Sequence, residues 1–272
     1  MNGRNGKQTK RHDDIRRVNP LRMLRAVGIL AIWLLIWQGV YLAVGKDVLF
    51  ASPVQVAVRF AHLVTQWDFW QTVATTLGRI MAGLTLGILV GVGLAILTSA
   101  SRLVSDFCSP LVGMVKSTPV TSFIVLAMLW IARGRVPVFI SFLMVLPIIW
   151  ANVSEGIRRR DAKLLEMAAV FRMGRMHRLR RVDVPMVLPY FMAAFNSALG
   201  LAWKAGITAE VLSNPAFSIG GRIYDAKVYL ETTDLFVWTA VLVLISVGLE
   251  KLFLLLIRHA RRKLHIRGEV TS

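Results

Sequence analysis

The chain has 272 residues and a formal net charge of +18, and 56% of its residues are hydrophobic, with a mean hydropathy of +0.59. Only 18% of the residues are charged, against about 25% in soluble globular domains, and the hydrophobic residues occur in long blocks. This composition excludes a disordered chain and an ordinary soluble enzyme, and the single cysteine, Cys108, excludes a disulfide-stabilised secreted scaffold.

Six apolar blocks are candidates for membrane spans. Five are long enough, because a helix needs about 20 residues to cross a hydrocarbon core of roughly 30 Å. The third block is charge-free but short, and Pro119 lies near its start. We predict an all-α integral membrane protein with six transmembrane helices, at residues 26–45, 80–101 (extended back to 72), 117–132, 136–154, 184–203 and 235–249 (continued to 257).

The basic residues support this number of spans. If the N-terminus is cytoplasmic, the cytoplasmic segments contain 24 Lys and Arg residues and the external segments contain 6, which follows the positive-inside rule. Omitting the short third span would place the nine basic residues of 155–183 outside. The sequence therefore predicts that both termini are cytoplasmic. The first block is too long for a signal-peptide core, so we expect an uncleaved anchor.

Common catalytic and ligand-binding motifs are missing from the sequence. It contains no GxxxxGK[ST] phosphate loop, no GxSxG and no HExxH, and its acidic residues are scattered singly. The five histidines fall in different segments without metal-ligand spacing. We therefore predict no catalytic residue, no metal site and no cofactor in this chain. Nucleic acid is not an expected partner, because the basic residues cluster at the ends of apolar blocks next to membrane lipid.

The second span carries a glycine pattern. Gly83, Gly87 and Gly91 form two overlapping GxxxG units, with Gly78 and Gly93 near the same stripe. In lipid, glycine at this spacing lets another helix backbone approach closely. We favour packing within one subunit over a contact between two copies.

Two cations inside the spans are candidates for a substrate pathway. At 1.5 Å per residue, Arg79 lies about 12 Å from Gln71 at the outer end of its span, and Lys204 lies about 22 Å from Pro189. A charge at the bilayer centre costs at least a few kcal/mol unless it faces protein or water. Both cations could therefore line one hydrated cavity for an anionic or polar solute. Alternatively, they snorkel or pair with an acid such as Glu210.

The segment 155–188 is polar and arginine-rich, and it lies between two spans. Leu164, Leu165, Ala168 and Phe171 recur in it at helical spacing, which predicts an amphipathic helix. Such a helix lies on the membrane surface or docks into a partner protein. The residue pattern alone favours neither.

A family resemblance becomes visible in this segment. The run Glu166-Met167-Ala168, followed sixteen residues after the glutamate by Val182-Asp183-Val184-Pro185, resembles the cytoplasmic EAA-x3-G-x9-I-x-L-P motif of ABC importer permeases. The runs 199–204 (LGLAWK) and 209–211 (AEV) are similar to the branch associated with nitrate, sulfonates and taurine. The similarity extends over roughly residues 71–257. Met167 departs from the motif, and so does Arg172, which occupies the glycine position. The helix break that this glycine permits is therefore expected to shift to Gly174.

The resemblance implies a type I ABC importer permease fold and a role for the loop. The chain is then divided into a basic tail (1–25), a first transmembrane helix with an external segment (26–70), a permease domain (71–257, with the coupling loop at 155–188) and a second basic tail (258–272). The loop would sit in a groove on a separate ATPase subunit. The expected coupling residues are Glu166 for a polar contact, Ala168 for close approach, Arg172 and Gly174 at the turn, and Pro185 at the exit toward the next span.

The resemblance also implies partners and a location. These are ATPase subunits that bind ATP and Mg²⁺, an extracytoplasmic solute-binding protein and a second permease copy, assembled in the bacterial inner or plasma membrane. Arg79, Lys204 and Glu210 are the expected pathway residues. Residues 212–234 are a docking or gating segment, or an ordinary connecting loop. An ion-coupled secondary transporter is the first alternative, although it would need more acids deep in the spans, and a membrane-embedded enzyme or assembly protein is the second.

Overall fold

A computed structural model of the protein describes residues 20–263, and within this range the chain forms helices and no β-strand. Residues 1–19 and 264–272, which make up most of the two predicted basic tails, lie outside the described residues. The helices in chain order are α1 (Pro20–Val44), α2 (Pro53–Val64), α3 (Trp67–Ala100), α4 (Arg102–Ser117), α5 (Val120–Trp130), α6 (Val136–Arg158), α7 (Ala162–Val170), α8 (Arg175–Arg178), α9 (Val184–Ser213), α10 (Ile219–Val228) and α11 (Thr232–Lys263). A 3-10 turn at Arg133–Arg135 precedes α6, and a π-helical turn at Leu179–Asp183 joins α8 to α9.

Five helical segments are long and apolar enough to cross a membrane. They are Val27–Val44, Trp67–Ala100, Arg133–Arg158, Arg175–Ser213 and Thr232–Phe253. They overlap the five long apolar blocks, so the prediction of an all-helical membrane protein with these spans is confirmed.

The short third block does not form a straight span. α4 and α5 meet at an angle of 106°, and the 11 residues of α5 cover only about 16 Å, roughly half of the hydrocarbon core. The break falls at Thr118, whose extended backbone (ψ 134°) is the conformation favoured before a proline. The predicted third span therefore contains one helix, α5, which is too short to cross the core by itself. The described residues contain five candidate spans, or six if the bent pair α4–α5 crosses once.

Helix α6 forms the centre of the fold, between α3 and α9. Its contact with α3 follows the glycine stripe, whose three members are buried. A Cβ added to these glycines would come within about 3 Å of a Cβ on α6: Gly83 against Ser141 (2.6 Å), Gly87 against Val145 (2.7 Å) and Gly91 against Ile149 (3.0 Å). The prediction that the stripe packs within one subunit is confirmed. Gly78 and Gly93 have open space around them, so they do not belong to the packed stripe.

The end of the bundle that carries α2 and α10 is joined to α11 by a charge pair. Arg59 on α2 donates two hydrogen bonds to the carboxylate of Asp234, at 2.6 and 2.8 Å. These hydrogen bonds raise the pKa of the Arg59 guanidinium, so this arginine stays charged at any physiological pH. α1 joins the same end through Trp37, whose Nε1 donates to Ala51 O at 3.0 Å and whose ring stacks on Phe236.

Candidate functional site

The predicted coupling loop forms a compact helical connection between α6 and α9. Asp161 caps the first helix of the loop, α7, by accepting a hydrogen bond from Lys163 N at 2.8 Å, which satisfies one of the amides that a helix N-terminus leaves unpaired. Of the predicted apolar face, Ala168 is 2% exposed, whereas Leu164 is 40% and Phe171 is 70% exposed. The small residue therefore packs inward, and the larger apolar side chains remain at the surface.

Helix α7 ends in a Schellman turn centred on Arg172. Met173 N donates to Ala168 O at 3.0 Å, and Arg172 N donates to Ala169 O at 2.9 Å, the pair of bonds that defines this motif. Its central residue must adopt the left-handed conformation, and Arg172 has φ +47°. Glycine usually fills this position because it has no Cβ penalty there. The turn therefore stays where the EAA motif places its glycine.

Gly174 has a different role from the predicted one. Its φ is −60°, and it is the N-cap of the short helix α8. The expectation that the helix break shifts to Gly174 is wrong, because the hydrogen bonds of the α7 terminus select the residue two positions earlier. Glu166 is exposed on α7. Pro185 lies half-buried in the first turn of α9, directly after the π-helical turn Leu179–Asp183.

A buried aspartate closes the loop, and the sequence analysis did not identify it as a functional residue. Asp183 is 7% exposed and accepts hydrogen bonds from Arg160 Nη1 at 2.6 Å and from Arg178 Nε at 3.2 Å. These three residues, called here the Asp183 cluster, join the start of the loop to its end. The available signal was a single acid, between the two hydrophobic residues Val182 and Val184 of the motif, in a stretch otherwise rich in arginine.

Two other predicted site residues, Arg79 on α3 and Glu210 on α9, lie in the half of the bundle away from the coupling loop. Glu210 is fully buried, and Arg79 Nη1 lies 3.4 Å from its Oε1. Arg79 also donates to the carbonyl oxygens of Ala216 (2.9 Å) and Phe217 (3.3 Å), which belong to the connection after α9. Arg79 therefore pairs with Glu210. This pairing is the predicted alternative to lining a cavity.

Backbone and hydroxyl groups complete the environment of this carboxylate. Thr76 Oγ1 donates to Glu210 Oε2 at 2.9 Å and accepts from Ile219 N at 3.0 Å, and Gly220 N donates to Oε2 at 3.2 Å. A Cβ on Gly220 would lie 2.6 Å from Val211 N, so only glycine lets α10 approach α9 this closely. We call Glu210, Arg79, Thr76 and the first two amides of α10 the Glu210 network. It ties α3, α9 and α10 together.

Lys204 is separate from this network. It is exposed on α9 and lines a cavity of about 210 Å³ between α9 and α11. Arg79 does not line this cavity, and its pairing with Glu210 corresponds to the alternative role predicted for it from the sequence. The cavity is lined by Asn196, Leu199, Gly200, Trp203, Lys204, Ser246, Leu249 and Glu250. Trp203 Nε1 is buried and has no hydrogen-bond partner in the described part of the chain, and residues 20–263 contain no group of three potential metal ligands.

Known proteins with similar sequences include transport permease proteins. The bicarbonate transport system permease protein CmpB of Synechococcus elongatus is 28% identical over 182 residues, which are 66% of this chain and 64% of that protein. The aliphatic sulfonates transport permease protein SsuC of Bacillus subtilis, a name given there as putative, is 26% identical over 210 residues, 76% of this chain and 74% of that one. The match therefore leaves about a third of the length of CmpB uncovered.

A solved structure shares the fold. The crystal structure of an amino acid ABC transporter with histidines superimposes on 75% of this chain and 96% of its own, with a TM-score of 0.59 and 16% identity. The family model described as "Binding-protein-dependent transport system inner membrane component" matches residues 83–265, which include α6, the loop with the Asp183 cluster and Glu210. The chain therefore belongs to this family of inner-membrane components of binding-protein-dependent transport systems.

Proposed function

We propose that this chain is the permease subunit of an ATP-driven importer, which forms the path for a small solute and is moved by separate ATPase subunits. ATP and Mg²⁺ would bind to those subunits, and an external binding protein would deliver the solute. Two permease copies would assemble around the path, each contributing one coupling loop.

The observation that carries the proposal is the geometry of the segment 159–183. It contains a short helix with exposed large apolar residues, α7, which ends in a left-handed turn at Arg172, and the buried Asp183 cluster holds it between two spans. An exposed apolar helix of this kind is suited to insertion in a groove of a partner. Leu164, Met167, Val170 and Phe171, which are 40–79% exposed, would supply the apolar contact, and the exposed Glu166 would supply a polar one.

For the solute, we propose a small oxyanion. CmpB and SsuC carry names that refer to bicarbonate and aliphatic sulfonates, and the resemblance in sequence adds nitrate and taurine. Lys204 supports this class, because it places a positive charge in a cavity of about 210 Å³ that also contains Asn196, Ser246 and one acid, Glu250. A cation with hydrogen-bonding neighbours stabilises an anion inside the membrane.

Coupling is tested by co-purifying the tagged chain with the ATPase encoded by a neighbouring reading frame. Glu166→Ala should loosen the complex or uncouple ATP hydrolysis from uptake. Glu231→Ala is the matched control, because Glu231 is also an exposed acid. It lies between α10 and α11, next to the Arg59–Asp234 pair and outside the coupling loop. If the chain purifies without an ATPase and an ion gradient drives solute movement, the proposal is wrong and the chain is a secondary transporter.

The solute class is tested in proteoliposomes that contain the complex and its binding protein. Bicarbonate, nitrate, a short alkyl sulfonate and taurine are supplied separately, and ATP hydrolysis and uptake are recorded. Lys204→Gln should lower uptake of the oxyanion that stimulates hydrolysis, whereas Lys227→Gln, an exposed cation on α10, should not. Stimulation by none of these solutes would contradict the oxyanion assignment and leave the coupling result unaffected.

A further inference from the structure

A second polar cavity, unrelated to the solute path proposed above, lies where α3, α4 and α6 meet. Its volume is about 400 Å³, and we call it the inner cavity because Arg158 at its edge is followed directly by the coupling loop. It is lined by Thr98, Ser99, Arg102, Ser105, Asp106, Ser109, Trp150, Ala151, Ser154 and Arg158. Two guanidinium groups and five hydroxyl-bearing side chains therefore surround one space in a largely apolar protein.

The inner cavity contains hydrogen-bonding capacity that the protein does not use. Ser154 is 9% exposed, and its Oγ has no hydrogen-bond partner in the described part of the chain. A buried hydroxyl without a partner is costly, and such groups generally receive a partner from water or a ligand. Helix α4 begins at Arg102 without a side-chain cap, so the positive end of its dipole adjoins the same space.

The depth of the inner cavity corresponds to that of lipid headgroups. Between Arg79 and Arg102, α3 and the residue after it carry no charged side chain, and these 23 steps cover about 35 Å. The hydrocarbon core is roughly 30 Å thick, with the headgroups directly beyond it. Because this uncharged stretch is longer than the core, Arg102 is placed beyond the hydrocarbon core, on the side of the coupling loop.

Helix α4 is amphipathic in the manner of an interfacial helix. Arg102, Ser105 and Asp106 line the inner cavity. Its apolar residues lie on another face and are largely uncovered: Leu103 (83% exposed), Phe107 (74%), Leu111 (52%) and Met114 (62%). A helix of this kind buries its apolar side among acyl chains and its polar side among headgroups.

We propose that the inner cavity binds the phosphodiester of a membrane phospholipid, with Arg102 and Arg158 on the phosphate oxygens and the acyl chains along the apolar face of α4. The charges favour this monoanion over free inorganic phosphate. Asp106 faces the same space, and Arg158 also donates to Glu155 at 2.8 Å. The two arginines are thus partly neutralised, which suits a single negative charge better than two.

The proposal is tested by native mass spectrometry of the full chain in detergent with added lipid. Phosphatidylethanolamine should remain bound, and diacylglycerol with the same acyl chains should not. Arg102→Gln should weaken retention about tenfold, the effect of removing charged hydrogen bonds to a phosphate. Lys116→Gln, which removes a cation at the other end of α4 outside the inner cavity, should leave retention unchanged.

Three results would overturn the proposal. Equal retention of diacylglycerol in the wild-type chain would show that the phosphate is not recognised, and this comparison needs no variant to fold. Displacement of the lipid by millimolar inorganic phosphate would assign the site to a free anion. Release of lipid on dimerisation, with no effect of Arg102→Gln, would show that a second copy covers α4.

Discussion

Replacing Arg172 by glycine should stabilise the coupling loop, although it removes a charge and a long side chain. Arg172 has φ +47°, and an L-residue in the left-handed region costs roughly 1–2 kcal/mol. Glycine avoids this cost but loses about 0.5–1 kcal/mol more backbone entropy on folding. The difference favours Arg172→Gly by about 0.5–1 kcal/mol, which is a roughly two- to fivefold change in the local opening equilibrium.

Amide hydrogen exchange of the purified chain measures this equilibrium locally. The relevant amides are those of Phe171, Arg172 and Met173, which donate to the last carbonyl groups of α7. In peptides that cover them, exchange should be about two- to fivefold slower in Arg172→Gly. Arg172→Ala keeps the positive φ without the charge, so it should give no comparable protection.

A second substitution shows whether the reasoning identifies the correct turn residue. Gly174 has φ −60° and no atom within 4 Å of an added Cβ, so Gly174→Ala should leave exchange unchanged or slow it slightly. Faster exchange in both Arg172→Gly and Gly174→Ala would mean that the left-handed residue is Gly174 and would refute the argument.

Three further substitutions test the remaining contacts. Asp183→Asn should cost about 1–2 kcal/mol, because two half-exposed arginines lose a charged acceptor, and trypsin should then cleave the loop faster than in Asp161→Asn. Glu210→Ala should lower the detergent melting temperature more than Glu210→Gln, because only alanine leaves Thr76 Oγ1 and Gly220 N without the acceptor that Glu210 provides. Gly87→Val should destabilise by about 1–3 kcal/mol through overpacking, whereas Gly93→Val, at an open position, should leave the melting temperature nearly unchanged.

The spans and the glycine stripe could be predicted because each depends on a local property of the sequence. A block of 20 apolar residues can satisfy its backbone in lipid only as a helix, and glycine every fourth residue marks a close contact wherever the partner comes from. The short third block was harder. Its composition resembles that of a span, but Thr118 and Pro119 bend the chain, and hydropathy does not report an angle.

The site residues were harder to interpret because their roles depend on partners distant in sequence. The predicted depth of Arg79 was counted from Gln71 as the outer end of its span. Helix α3 in fact begins twelve residues, or about 18 Å, before Arg79. Its contacts are carbonyl groups 137 and 138 residues away. Likewise, the importance of Asp183 follows from Arg160, which is 23 residues earlier. Spacing within one helix does not reveal such pairs.

Arg172 shows where a departure from a motif can mislead. A missing glycine suggests that the turn has moved to the next glycine, but the turn is defined by the carbonyl groups of α7, and these are not changed by one side chain. The helix end therefore keeps its position and the substituted residue carries the strain. The same arrangement recurs after α10, where Leu230 has φ +58° and Glu231 N donates to Ala226 O at 2.9 Å, without a glycine.

Helix α9 connects the Asp183 cluster to the Glu210 network. It begins one residue after Asp183 and carries Glu210 26 residues beyond its first residue, a distance of about 39 Å along one helix. Each end is fixed by charged hydrogen bonds to a different part of the chain, the coupling loop at one end and α3 with α10 at the other. Pro189 lies inside this helix, and a proline in a helix interior removes one backbone hydrogen bond and favours a kink. The two ends of α9 are therefore fixed independently, and the position where the helix bends most readily lies close to the coupling loop.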